Sequence, residues 1–204
     1  MSQNRSTAVM QRRVEAHDSL DHFPTPPWAT RALCEWLMKA SYALPEYNVL
    51  EPACAEGYMA RALGEYFTRV DASDVHDYGY GDVVDFLWPS DARHDWVITN
   101  PPFRLACEFA LTARRRARFG VALLVRSAFL EGVGRHAELF NESPPSEVLQ
   151  FCERVPMVKG RIDKKATTAT AYCWLVWRIA QPPITRLHWI APCRRRLERE
   201  LDYH

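Results

Sequence analysis

Two adjacent prolines at the end of a buried apolar run constrain this chain more than any other feature. Trp96-Val97-Ile98-Thr99 reads as a buried strand, and Asn100-Pro101-Pro102-Phe103 follows it directly. Proline has no amide hydrogen and a fixed φ, so the chain stops pairing there and its carbonyls are held rigidly. One polar side chain, two rigid rings and an aromatic at a strand's carboxyl end make poor core. They suit the holding of a flat ring that bears an amino group.

The segments on either side predict what surrounds that turn. Thr25 is placed to cap a helix over 26–41, with Pro26 at its first position and Ala29, Leu33, Trp36 and Leu37 at helical spacing. A strand follows at Tyr47–Pro52, then the small-residue turn Ala53-Cys54-Ala55-Glu56-Gly57, then a helix carrying Met59, Leu63 and Phe67. Arg69–Val75 is a second strand that ends in an acid, and Val83–Leu87 a weaker strand or turn. His94–Thr99 is the strand before the prolines. Leu105, Phe109 and Thr112 begin a third helix, with the run Arg114-Arg115-Arg116 on its exposed side, and Val121–Val125 is another buried strand. Further on, 134–141 reads as a short helix, 148–152 as a strand and 156–168 as a basic loop. An aromatic strand at 171–179 and an edge strand at 184–190 complete the order.

Alternating strands and helices imply an α/β fold with a mostly parallel sheet and helices on both faces. Ligands of such sheets bind outside the carboxyl ends of the strands. Four chemistry-bearing groups fall at those ends: Glu51 to Gly57, Asp74, Asp85-Phe86, and Asn100 to Phe103. Any one could be an ordinary turn; their convergence is the physical argument for a site.

The 204 residues are 48% hydrophobic and 25% charged, the composition of a soluble globular chain. A chain of this length buries roughly 70% of its unfolded surface and needs no disulfide or metal to fold. A single domain over 21–192 is expected, with a flexible polar arm at 1–20 and a basic tail at 193–204. The formal net charge of +1 gives no global signature of nucleic-acid binding. The basic residues are clustered, however: around Arg114–Arg118, around Arg154–Lys165, and at Arg194–Arg196. Any one cluster can be a solvated face, whereas three on a neutral chain favour a locally positive surface. The cysteines at 34, 54, 107, 152, 173 and 193 form no C-x-x-C pair, so they read as buried or partly buried thiols and no metal is expected. No signal peptide or membrane-length apolar run is present, which points to the cytoplasm and away from membranes.

The turn after the first strand also limits the ligand. A dinucleotide loop wants G-x-G-x-x-G, but only Gly57 is glycine here, and Glu51 and Glu56 would repel phosphates. They suit a ligand with a cationic amine. Asp74, about 20 residues further on, is placed to accept bonds from ribose hydroxyls. A nucleoside with a cationic, amino-bearing appendage matches S-adenosylmethionine better than NAD or ATP.

With these residues in view, the chain resembles the S-adenosylmethionine-dependent methyltransferases that modify N6 of adenine in DNA, especially short phage- or prophage-type members with an NPPF motif. The resemblance runs from about Phe23 to Ile190. FPTPPWATRAL is similar to that family's N-terminal cofactor block, VLEPACAEG to its cofactor loop, ASDV to its ribose-binding acid, VVDFL to its adenine-contacting block and NPPF to its catalytic block. TATAYCWLVWR resembles the aromatic penultimate strand of the phage-type relatives. The resemblance implies a Rossmann-like class I methyltransferase fold with a seven-stranded sheet. It places Phe23, Pro24, Thr25 and Pro26 at the methionine end of the cofactor, and Glu51, Ala53, Glu56 and Gly57 in the loop beneath it. Asp74 and Val75 then lie at the ribose, Asp85 and Phe86 at the adenine. Asn100, Pro101, Pro102 and Phe103 form the catalytic block. Arg126, Lys159, Arg161, Lys164 and Lys165 are the expected phosphate contacts. Ala55 departs from the family's pattern, which has glycine at that position.

The expected reaction is methyl transfer to the N6 amine of adenine, with nucleic acid as partner, DNA before RNA. With about fourteen residues after Ile190, no separate target-recognition domain is expected, and short or relaxed sequence recognition, or a partner that supplies it, is. The alternatives are an RNA base amine or a protein glutamine as acceptor, since N-P-P-[FY] serves those enzymes too, and a non-catalytic binding module with the same fold.

Overall fold

The computed structural model describes residues 21–180 and 184–203. The predicted arm at 1–20 lies outside the described residues. Helix α1 (Pro27–Lys39) is followed by strand β1 (Asn48–Glu51), helix α2 (Tyr58–Leu63), β2 (Arg69–Asp74), the two-residue β3 (Asp82–Val83) and β4 (His94–Thr99). Then come α3 (Ala106–Arg116), β5 (Ala117–Arg126), the short α4 (Val133–Arg135) with a further turn through Phe140, β6 (Glu147–Phe151), β7 (Tyr172–Arg178), β8 (Arg186–Ile190) and α5 (Arg194–Leu197).

All eight strands form one sheet in the order β3-β2-β1-β4-β5-β7-β6-β8. β7 runs antiparallel to β5 and β6, and every other pairing is parallel. The expectation of seven strands is therefore one short. The two-residue β3, read from the sequence as a weaker strand or turn, is one of the eight, and the expected edge strand is β8, which pairs with β6 from Glu147↔Arg186 to Phe151↔Ile190. Ile190, buried on the α1 side, holds it there.

Side chains alternate strictly between two cores, as a sheet covered on both faces requires. Val49, Trp96, Ile98, Ala122, Leu124, Leu149, Trp174 and Val176 face α1 and α2. Leu50, Val97, Val121, Leu123, Val148, Leu175 and Trp177 face α3. Trp174 Nε1 donates to the Ala29 carbonyl at 3.1 Å, which fixes α1 across β7.

Three local expectations are corrected. Thr25 does not cap α1: Pro26 occupies the cap position, Pro27 begins the helix, and no side chain caps it. Thr25 is instead turned inward and buried, with no partner for Oγ1. The arginine run on α3 is not wholly exposed. Arg116 is buried, donates to the Trp88 carbonyl and stacks on Phe86 with its guanidinium carbon 4.8 Å from the ring centroid. Of the cysteines, Cys152 is exposed rather than buried.

The segment read as a basic tail is packed. Leu197 joins the α1-side core. Buried Arg31 of α1 donates to the Leu197 carbonyl at 2.7 Å and to both carboxylate oxygens of Asp202 at 2.7 and 2.8 Å. Its remaining donors reach Glu65, so its charge is matched from two sides.

The chain order in the sheet reverses between β1 and β4: β2 and β3 extend one way, β5 the other. A crevice opens where adjacent connections leave on opposite faces. Glu51 ends one of these two strands, and Asn100 follows the other.

Candidate active site

A cleft of about 320 Å3 lies at this reversal point. Its described lining includes four carboxylate residues, Asp21, Glu51, Asp74 and Asp85, and no lysine or arginine. Such a surface repels phosphates and attracts a cation.

β1 carries Glu51 into the floor, where it is 2% exposed. Burial, reinforced by the nearby Asp74 charge, holds its carboxyl well above the usual range, against a smaller opposing pull from the Ala60 amide. Its Oε2 has no partner. Cys54 lies beside it, and burial pushes that thiol up to about 12, so it stays protonated at neutral pH.

The turn after β1 is shaped by its backbone. Ala55 has φ 43° and Gly57 φ 80°, both left-handed. A Cβ on Gly57 would meet the Tyr80 ring at 2.5 Å, so glycine is needed for space as well as angle. Ala55 keeps the left-handed path that glycine would take, at a cost of about 1 kcal/mol. Its amide donates to Asp74 Oδ2 at 3.0 Å, and the His76 amide donates to Asp74 Oδ1 at 3.0 Å. Asp74 is thus fixed by two amides with acceptor capacity remaining on both oxygens.

Asn100 is oriented equally firmly. Its Nδ2 donates to the Phe23 carbonyl at 2.9 Å and contacts Met157 Sδ at 3.6 Å. That sets the amide's direction and leaves Oδ1 buried without a partner. Thr25 Oγ1, buried in the same lining, is the third such acceptor. The Pro102 carbonyl takes the Leu105 amide at 3.0 Å, which closes the turn into α3.

Most residues expected at a cofactor line this cleft: Phe23, Pro24, Thr25, Glu51, Ala53, Asp74, Val75, Asp85 and Phe86, with Asn100 and Pro102 of the proline turn. Pro26, Glu56, Gly57, Pro101 and Phe103 are not in its described lining. Glu56 is hydrogen-bonded at 2.8 Å to His22, which is itself in the lining. Phe103 packs on Phe23, with ring centroids 5.3 Å apart, and the Arg126 guanidinium lies 3.7 Å from its centroid. Sequence reading missed Tyr58, His76, Tyr78, Leu105 and Phe109. Leu105 and Phe109 stand four apart at the start of α3, so the helical spacing that assigned them to core also directs them to the cleft wall.

The basic loop comes to the site as well. The Gly160 amide donates to the His22 carbonyl at 2.9 Å, and Met157 touches Asn100. Lys159, Arg161, Lys164 and Lys165 are all exposed. Lys164 is drawn away from the cleft, bonded to Glu200 at 2.5 Å, and Arg161 pairs with Asp163 at 3.4 Å. Among the described residues no group of three or more His, Cys, Asp or Glu side chains could hold a metal ion, and no helix is long and apolar enough to cross a membrane.

No protein-family model matches the chain, and no curated protein matches it. Solved structures do. A Listeria monocytogenes protein assigned to the class I S-adenosylmethionine-dependent methyltransferases is 13% identical, with 85% of this chain and 67% of that one covered at a TM-score of 0.62. A Vibrio vulnificus protein assigned as the modification subunit of a type I restriction enzyme is 15% identical over 90% of this chain, at 0.59. The match covers 50% of that subunit. A Pyrococcus horikoshii protein assigned as an RNA methyltransferase is 18% identical over 77% of this chain and 86% of its own, also at 0.59. At these identities the likeness is one of fold: the chain has the Rossmann-like class I methyltransferase fold.

Proposed function

We propose that the protein transfers a methyl group from S-adenosylmethionine to the exocyclic N6 amine of adenine in DNA. The observation that carries this reading is the acid-lined cleft that runs to Asn100, whose amide is fixed through Nδ2 so that Oδ1 remains an unpaired acceptor. The residues fit the donor chemically. Glu51 Oε2 and Thr25 Oγ1 are unpaired acceptors suited to its ammonium group, and Asp74 retains capacity for its ribose hydroxyls. Asp85, Phe86 and Phe109 give an apolar wall with one acid for its adenine. The solved structures with this fold that are assigned as methyltransferases support the same choice.

When bound, S-adenosylmethionine supplies a methyl group on a sulfonium, whose departure leaves an uncharged thioether. The chain's own residues act on the acceptor. Its N6 lone pair is delocalised into the purine, so the amine is a weak nucleophile. Asn100 Oδ1 and the Pro101 carbonyl accept its two N–H bonds and favour a more tetrahedral nitrogen. These bonds strengthen as positive charge develops on nitrogen, so they stabilise the transition state more than the ground state. Neither carbonyl is basic enough to retain the surplus proton, which passes to solvent. Phe103 stacks on the extruded base, worth about 1–3 kcal/mol by analogy with other base–aromatic contacts. Exposed Arg126, Lys159, Arg161 and Lys165 contact phosphates, with Lys164 joining them once it leaves Glu200.

The test is incubation with labelled methyl donor and, separately, DNA, RNA and protein, followed by mass spectrometry of the hydrolysates. N6-methyladenine in DNA is expected, with a rate loss of about 10²-fold or more in Asn100→Ala, by analogy with removal of an oxyanion-hole donor. N2-methylguanine or methylglutamine as the product would overturn the assignment. An RNA amine is the second reading, favoured by the likeness to the Pyrococcus protein. The same experiment separates the two.

A further inference from the structure

Arg126 is the last residue of β5, beside the proline turn. Its guanidinium carbon lies 3.7 Å from the centroid of Phe103 and 6.0 Å from that of Phe23. The two rings are themselves 5.3 Å apart and tilted by 38°. At 3.7 Å the guanidinium is in van der Waals contact with the ring, and no purine fits between them. Arg126 is also within hydrogen-bonding reach of the Tyr172 hydroxyl, opposite it on β7. The Phe103 amide is tied to Asp21 Oδ2 at 2.5 Å, so the ring cannot simply swing to meet a base elsewhere.

We propose that Arg126 guards the base site, covering Phe103 until a nucleic-acid phosphate draws the guanidinium away. The inference rests on the reading of Phe103 as the ring on which the acceptor base stacks. The exchange is favourable in one direction only. A cation–π contact at an exposed position is weak, and the Arg126 side chain is already exposed, so little desolvation holds it on the ring. A phosphate offers the planar guanidinium two charge-assisted hydrogen bonds in return. The start of the basic loop and the residue that leads into β7 flank this position: the Ser127 amide donates to the Ala171 carbonyl at 2.8 Å, and Met157 touches Asn100. A strand entering along that loop brings its phosphates to Arg126 as its base reaches Phe103. A free nucleoside has no phosphate to offer and meets a covered ring. The guard therefore selects polymer over monomer without reading sequence.

The experiment compares wild type, Arg126→Ala and Arg126→Lys, with 2-aminopurine deoxyriboside as a fluorescent monomer and a labelled duplex as polymer. Removing the guard is expected to tighten nucleoside binding by about threefold, the worth of an exposed cation–π contact. It should also weaken duplex binding and lower its salt slope by about one. Arg126→Lys should recover part of the duplex affinity through its charge while keeping the tighter nucleoside binding. Inorganic phosphate should increase nucleoside binding to wild type and not to Arg126→Ala. Unchanged or weaker nucleoside binding in Arg126→Ala overturns the proposal, because an arginine that only supports Phe103 or only contacts phosphate would give that result. The acceptor reading fails separately, if wild type transfers no methyl group to adenine in nucleic acid.

Discussion

Glu51 and Glu147 are both 2% exposed and sit at opposite ends of the same sheet, one at the carboxyl end of β1, the other at the amino end of β6. Glu147 is met by two arginines, Arg178 at 3.3 Å and Arg186 at 3.8 Å, and is hydrogen-bonded to His188 at 2.7 Å. Glu51 feels the like charge of Asp74 more than the opposite charge of Arg61, makes no ion pair, and keeps an oxygen with no hydrogen-bond partner among the described residues. The same buried side chain is complete within the fold in one place and incomplete in the other. A carboxylate that the chain completes is structural. One that it leaves open in a cleft is held for something the chain does not contain.

That contrast predicts opposite consequences of removing each carboxylate. Glu147→Ala leaves half-buried Arg178 beside Trp36 and Tyr42 with its charge unmatched, and should cost about 3 kcal/mol in denaturant unfolding, more than a hundredfold in the folding equilibrium. Its affinity for S-adenosylmethionine should stay within about twofold, because the two sites share no partner. Loss of cofactor binding by a folded Glu147→Ala protein would break the comparison.

Glu51→Gln should do the reverse. Affinity for the donor should fall about 10- to 100-fold by calorimetry, the worth of a hydrogen bond to a charged group. Stability should rise instead. The folded-state pKa of Glu51 is raised above its ordinary 4.5, so between those values the folded protein keeps a proton that the unfolded chain gives up. Wild type therefore loses stability as pH rises from about 4.5 through the raised pKa, and Glu51→Gln does not share that loss. A cationic ligand favours the ionised carboxylate, so binding to wild type should release a proton, visible as a dependence of binding heat on the buffer's ionisation enthalpy. Equal stability curves for the two proteins above pH 4.5 would show that Glu51 is completed after all.

The smallest effect belongs to Ala55→Gly. Relief of the left-handed angle and the added freedom of the unfolded chain nearly cancel, so the unfolding midpoint should correspond to a change within about 0.5 kcal/mol. A larger gain would mean that the loop beneath the cofactor is more strained than φ 43° implies.

Much of this was legible from periodicity. The unbroken apolar, aromatic run in Tyr172–Trp177 predicts a strand, and β4 ends where the apolar run Trp96–Thr99 does. The cleft was legible because the polar residues that line it follow apolar runs directly. What could not be read depends on partners far along the chain. Arg116 looks like one more solvated arginine until the Trp88 carbonyl and the Phe86 ring are brought beside it. Thr25 before a proline looks like a helix cap, and only the folded lead-in shows its hydroxyl turned inward. Glu147 carries no sign in its neighbourhood of the two arginines and the histidine that converge on it from β7 and β8. Arg126 was legible as a cation at a strand end, but not its place over Phe103.

The bond between Arg31 and Asp202 joins residues 171 apart in sequence. It sets the timing of folding during synthesis. The carboxylate that neutralises the buried arginine of α1 is made long after α1 itself. Until then the guanidinium can pair only with Glu65, and burying it fully is unfavourable. The lead-in Phe23–Pro26, which enters α1, is thereby among the last parts of the cleft to settle. A nascent chain therefore reaches binding competence only once Asp202 has been made, rather than gradually as α1 and the first strands emerge.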